Sequence, residues 1–216
     1  MNDEVAVLTS GGLDSSILLA NLAKTTVIHP IYVRFGLPWE DQELDALNAF
    51  IEEISNKNVA RLVELQVSIS AVYKNHWAIT EINVPAAGEP DESVFLPGRN
   101  IILLSMAATW CSINHVHNIA IGSLLGNPFP DASHQFFGDF GRSLSQGMAH
   151  TITITAPYRN LTKPQIIRQN QELPIHLTLT CMAPKQGAHC GECQKCEERQ
   201  ISFKYAGVTD ITDYTE

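Results

Sequence analysis

Near the start of the chain, Ser10-Gly11-Gly12-Leu13-Asp14-Ser15-Ser16 joins hydroxyls, two adjacent glycines and a carboxylate in one short stretch. The apolar run Val5-Ala6-Val7-Leu8 precedes it and Ile17-Leu18-Leu19-Ala20 follows, the pattern of a strand, a loop and the start of a helix. A loop so placed presents free backbone N–H groups and the positive end of a helix dipole to an anion. It suits a phosphate. The stretch lacks the Lys-Ser/Thr ending of a Walker A loop and the third glycine of a dinucleotide fingerprint. An ordinary strand-to-helix turn, with Asp14 or Ser15 as a cap, is the plainer alternative.

A second constellation lies at the other end, where Cys181-x8-Cys190-x2-Cys193-x2-Cys196 gathers four of the five cysteines. Four thiolates at these spacings can close a tetrahedron around zinc and leave no open position, which makes a structural site. The last three also match the start of a ferredoxin-type cluster, but Gln200 stands where the fourth cysteine would follow. Zinc is the favoured reading, and His189 is read as an incidental neighbour. Cys111, inside an apolar run, reads as a core thiol.

Three isolated groups complete the chemistry. Arg99 opens the run Ile101-Ile102-Leu103-Leu104-Ser105-Met106-Ala107-Ala108, where the dipole disfavours a cation. A phosphate ligand explains that placement better than pairing with an acidic neighbour. Lys163, in Thr162-Lys163-Pro164-Gln165, is either a solvated first-turn residue or turned toward phosphate. Asp131, after Pro130, is a helix cap for the segment beginning at Ala132 or a carboxylate at a strand's carboxyl end.

The elements that must position these groups alternate. Strands are expected at 25–33, 59–67, 117–122 and 151–155 besides the first, with Pro30 marking an edge or a bulge. Leu44, Leu47, Phe50, Ile51 and Ile54 give an amphipathic helix from Asp41, and the run after Arg99 gives a helix covered on both sides. The pattern from 68 to 92 reads as an irregular excursion over the active-site face. Together these predict a doubly wound, mostly parallel five-stranded α/β sheet with ligands at the carboxyl ends of its strands.

The chain has 216 residues, 44% of them hydrophobic and 17% charged, enough for one good core plus a small appendage. We divide it into 1–175, the nucleotide-binding α/β domain, and 176–216, a zinc-binding segment. Net charge is −9, from 23 acidic and 14 basic residues, with no basic run. That weighs against nucleic acid as a substrate. No apolar run spans a membrane, and Met1-Asn2-Asp3-Glu4 is no signal peptide, so a soluble, cytoplasmic protein is expected.

Ser-Gly-Gly-x-Asp-Ser resembles the PP-loop of the N-type ATP pyrophosphatases. With Phe95-Leu96-Pro97-Gly98-Arg99-Asn100, Leu161-Thr162-Lys163-Pro164-Gln165-Ile166-Ile167 and the terminal cysteines, the whole chain resembles the 7-cyano-7-deazaguanine synthase family. The resemblance implies an adenine nucleotide alpha hydrolase-like fold and a ligase using ATP, Mg²⁺ and a structural Zn²⁺. It implies adenylation of 7-carboxy-7-deazaguanine and reaction with ammonia to the nitrile through an amide. By the same resemblance Ser10, Gly11, Gly12, Leu13, Asp14, Ser15, Ser16 and Arg99 hold the nucleotide, and Asp14, Arg99 and Lys163 serve catalysis. Pro130 and Asp131 face the acceptor, the four cysteines hold the metal, and the enzyme is a homodimer. A PP-loop ligase for another carboxylate, a tRNA-modifying relative and a nucleotide-binding scaffold without catalysis remain as alternatives.

Overall fold

The computed structural model describes residues 4–215, and Met1-Asn2-Asp3, read above as no signal peptide, lie outside them. The apolar run Val5–Leu8 forms β1, flanked by β2 (Ile28–Arg34) and β4 (Asn118–Ala120), with β3 (Val63–Gln66) and β5 (Thr153–Thr155) outermost. The order is β3-β2-β1-β4-β5, and every ladder is parallel. Crossovers between parallel strands need helices, and the chain supplies α1 (Leu13–Ala23), α2 (Glu40–Ile54), α5 (Arg99–Ile113) and α6 (His134–Met148). Between β3 and α5 lie only the one-turn helices α3 (Ser70–Tyr73) and α4 (Trp77–Thr80), with a 3₁₀ turn at Asp91–Val94. The chain ends in α7 (Lys163–Gln169) and α8 (Gln194–Ala206).

Alternation of side chains along the strands makes two apolar layers. Ala6 and Leu8 belong with Leu104, Ala107 and Phe137 on the α5/α6 face, whereas Val7 belongs with Leu18, Ile166 and Phe203 on the α1/α7/α8 face. Helices therefore cover both faces, as in a doubly wound fold.

Two expectations need correction. Pro30 does not put β2 at an edge, since β2 lies between β1 and β3. The bulge reading fits instead. From the bridge Ile28↔Val59 to the pair Ile31↔Val63, β2 spans two residues and the facing chain three, so no ladder N–H is needed at Pro30. The second concerns α5, which is covered on one side only: Ile101 and Ile113 are 43% and 72% exposed. On that outer face Ser105 and Thr109 donate back to the Ile101 and Ser105 carbonyls, which lets the helix meet solvent without unsatisfied hydroxyls.

No described helix is long and apolar enough to cross a membrane.

Candidate functional site

The loops after β1, β2 and β4 leave the sheet at the same end, and between them lies a cavity of about 310 Å³. Its floor is the Ser10–Ser15 stretch. Gly12 is the N-cap of α1, without a side-chain cap from Asp14 or Ser15. Ser15 Oγ instead closes the loop on itself, accepting from Ser10 N–H at 3.2 Å and donating to the Gly12 carbonyl at 3.2 Å. Gly11 has φ +68°, and a Cβ there would stand 2.2 Å from the Glu43 carbonyl oxygen. The first turn of α2 thus rests on the loop.

Asp14 Oδ1 and Ser16 Oγ are buried without a hydrogen-bond partner. Burial raises the Asp14 pKa, with Lys163 opposing it. Lys163 Nζ lies 3.4 Å from Asp14 Oδ2 and 2.6 Å from Glu198 Oε1, and Lys195 Nζ is 2.8 Å from Glu198 Oε2. Burial works against the Lys163 charge, but Asp14 and Glu198 outweigh it and raise its pKa. Burial would likewise raise Glu198, yet Lys163 and Lys195 pull it down to about 2. This cluster ties α1, α7 and α8 together beneath the loop.

Arg99 also lines the cavity, from the start of α5. Among the described residues its side chain has no ion pair within 4.0 Å, so the acidic-neighbour reading is not met. Asp131 is buried in the cavity wall, but it caps neither its own segment nor α6. Its Oδ2 accepts from Asn100 N–H at 3.1 Å and its Oδ1 from Asn100 Nδ2 at 3.2 Å, while Ser133 caps α6. The unpaired N–H groups at the start of α5 draw the acid there. Pro130 is exposed and does not line the cavity. It only starts the 3₁₀ turn that carries Asp131.

Of the loop residues, Ser10, Gly12, Leu13, Asp14 and Ser15 line the cavity, while Gly11 and Ser16 lie beneath its surface. A loop of this shape and an unpaired guanidinium are suited to a nucleotide's phosphates, and the orphaned Asp14 Oδ1 to a cation beside them. Five further residues stand in the cavity wall. The rings of Trp39 and Trp77 stack at 5.9 Å, and Phe95 and Phe129 at 5.0 Å. Glu43, also in the wall, accepts from the Tyr32 hydroxyl at 2.6 Å. Its position was legible in principle, because Glu43 stands on the buried stripe of α2, four residues before Leu47 and seven before Phe50.

At one margin of the cavity the Sγ atoms of Cys181, Cys190, Cys193 and Cys196 lie within 4.8 Å of one another, all buried. The Cys190–Cys196 and Cys193–Cys196 separations are 3.9 and 3.5 Å. A tetrahedron with bonds of ~2.3 Å has edges of ~3.8 Å, so the donor set fits zinc. His189 is outside this cluster and accepts from Thr180 N–H at 3.1 Å. The cysteine loop is laced to the excursion through Ala87 N–H to Glu192 O at 2.9 Å and Gln194 N–H to Pro85 O at 3.0 Å. It also touches the Ser10–Ser15 loop, through Leu179 N–H to Gly11 O at 2.9 Å.

Comparison with known proteins adds lineage to this geometry. A family model described as "Queuosine biosynthesis protein QueC" matches residues 4–207. The 7-cyano-7-deazaguanine synthase of Methanobrevibacter smithii is 29% identical, over 100% of this chain and 100% of that protein. The 7-cyano-7-deazaguanine synthase 1 of Desulfitobacterium hafniense is 30% identical, over 94% and 92%, and the Magnetococcus marinus synthase 31%, over 96% and 95%.

Proposed function

The chain belongs to the QueC family of queuosine biosynthesis proteins, and on that premise we propose that it is an ATP-dependent carbon–nitrogen ligase of the 7-cyano-7-deazaguanine synthase type. It activates the carboxylate of 7-carboxy-7-deazaguanine by adenylation and uses ammonia to form the amide, then the nitrile. The observation that carries this is convergence in one cavity of the Ser10–Ser15 loop, the cations Arg99 and Lys163, and an aromatic-walled half.

A carboxylate is a poor electrophile until its oxygen becomes part of a good leaving group. Backbone N–H groups of the loop and the α1 dipole hold the pyrophosphate as negative charge develops on it. Arg99 binds phosphate from the opposite wall, and Lys163 holds Asp14 in place while adding positive charge below the loop. Asp14 Oδ1 is the oxygen that would hold Mg²⁺, which when bound neutralises the phosphate charge. Ser16, buried beneath the loop, lies out of reach of the phosphates. Asp131, with lone pairs left over from Asn100, accepts from the guanine-like N–H edge, and the ring pairs flank the planar acceptor. The four cysteines hold Zn²⁺ in a closed, structural site that anchors the 176–216 segment to the α/β domain of 1–175. A cytoplasmic homodimer that acts on free small molecules, not on RNA, belongs to the same reading.

Purified protein incubated with ATP, Mg²⁺, ammonium and 7-carboxy-7-deazaguanine is expected to yield the amide and nitrile by mass, with AMP and pyrophosphate. If ATP binds normally and neither product forms, the acceptor assignment falls.

A further inference from the structure

Four carboxylates line the cavity, those of Asp14, Glu40, Glu43 and Asp131, and three are engaged. Glu40 accepts from the Phe35 and Gly36 N–H groups, Asp131 from Asn100, and Asp14 is paired with Lys163. A carboxylate held by N–H donors or a cation is a weak base. Glu43 differs in balance: the Tyr32 hydroxyl donates to it at 2.6 Å, and the Trp39 indole and the Arg99 charge also favour its ionised form, but burial outweighs them.

The proposed reaction needs an uncharged nitrogen nucleophile, yet near neutral pH ammonia is almost wholly ammonium. From these contacts we infer that Glu43, together with the Trp39 and Trp77 rings, forms an ammonium-binding site in which Glu43 accepts the proton that frees ammonia for attack. Aromatic faces and a carboxylate are the usual recognition elements for a small cation. This rests on the reading of the enzyme as an ammonia-using ligase.

The step balances. One N–H bond of ammonium breaks as its proton passes to a Glu43 oxygen, and the freed lone pair forms the C–N bond to the activated acyl carbon. The bond from that carbon to the AMP oxygen then breaks, and AMP leaves with a proton from the attached nitrogen. Glu43 releases its own proton to water as the site empties. Burial pushes the Glu43 pKa up to about 7, while Tyr32, Arg99 and Trp39 pull the other way and Glu40 adds to the rise. A base in that range is matched to this transfer.

Hydroxylamine is uncharged near neutral pH and needs no such deprotonation, so it separates proton removal from everything else. We would compare wild type and Glu43→Gln for amide formation with ammonium and hydroxamate formation with hydroxylamine, on the same carboxylate and ATP. The expected result is a fall of about 100-fold with ammonium, hydroxamate formation near the wild-type rate, and an ammonium defect that shrinks at alkaline pH. Equal loss with both nucleophiles, or loss with neither, overturns the inference. Tyr32→Phe keeps the carboxylate but removes its donor, and should move the limb near pH 7 upward; an unmoved limb also overturns it. Absence of both products in the wild type would instead sink the proposed function, and this inference with it.

Discussion

Gly11 is where the phosphate loop and α2 touch. Its φ of +68° is a conformation that L side chains rarely adopt, and the atom in the way of a Cβ is backbone. Gly11→Ala therefore cannot be absorbed by a side-chain rotation. We expect AMP formation to fall at least tenfold and stability to drop by about 1–3 kcal/mol, read by AMP release and thermal unfolding. Lys163→Met should act on the charge cluster instead. It leaves Glu198 with Lys195 alone and Asp14 without its cation, at a cost of about 3 kcal/mol, with a raised KM for ATP. The local motifs were legible because their chemistry is carried by near neighbours: Ser10–Ser16, the cysteine spacing and Arg99 needed no tertiary knowledge to single out. Lys195 and Glu198 were not. Their roles come from facing elements distant in sequence, and nothing within a helical turn of Glu198 announces Lys163.

Among the elements, the stretch 84–94 has little secondary structure of its own and is ordered by others. Its backbone pairs with Glu192–Gln194, Gly88 N–H donates to Glu197 Oε2 at 2.6 Å, and Gln194 Nε2 donates to Asp91 Oδ1 at 2.6 Å. All three anchors lie on or beside the cysteine loop. Removing the metal with a strong chelator should therefore free this stretch. The expected outcome is new proteolytic cleavage between 84 and 94, with loss of ATP-dependent activity, while the sheet's far-ultraviolet circular dichroism is kept. Protection unchanged by chelation would contradict it. The sequence pattern found every strand, but 59–67 shrank to Val63–Gln66. The register shift opposite Pro30 delays regular pairing, and such a shift is invisible in one strand read alone. The covered-on-both-sides reading of α5 failed for a related reason: apolar composition limits what a helix can bury, but the packing of other elements decides what it does bury.

On the scale of the whole molecule, two glutamates give the fold opposite responses to acid. Glu198, at about 2 against an ordinary 4.5, stabilises the fold above its ordinary range, and that contribution is lost as pH falls from about 4.5 through 2. Glu43, at about 7 against 4.5, binds its proton more tightly when folded, so its contribution declines as pH rises from about 4.5 through 7. The thermal midpoint of wild type should thus fall between about pH 5 and pH 8 more steeply than that of Glu43→Gln, and Lys163→Met should unfold at a higher pH on acidification. Parallel curves would refute the assignment of these two groups.

The loop at Ser10–Ser15 emerges from the ribosome early, but its supports come from the far end: Leu179 grips Gly11, Lys163 reaches Asp14, and Glu198 holds Lys163. During synthesis the nucleotide pocket therefore stays unfinished until nearly the whole chain is out, and a nascent chain halted before Cys181 lacks Glu198, which holds Lys163, and the cysteine loop that follows Leu179. Competence to bind ATP should arise late and abruptly in translation, together with the last cysteine.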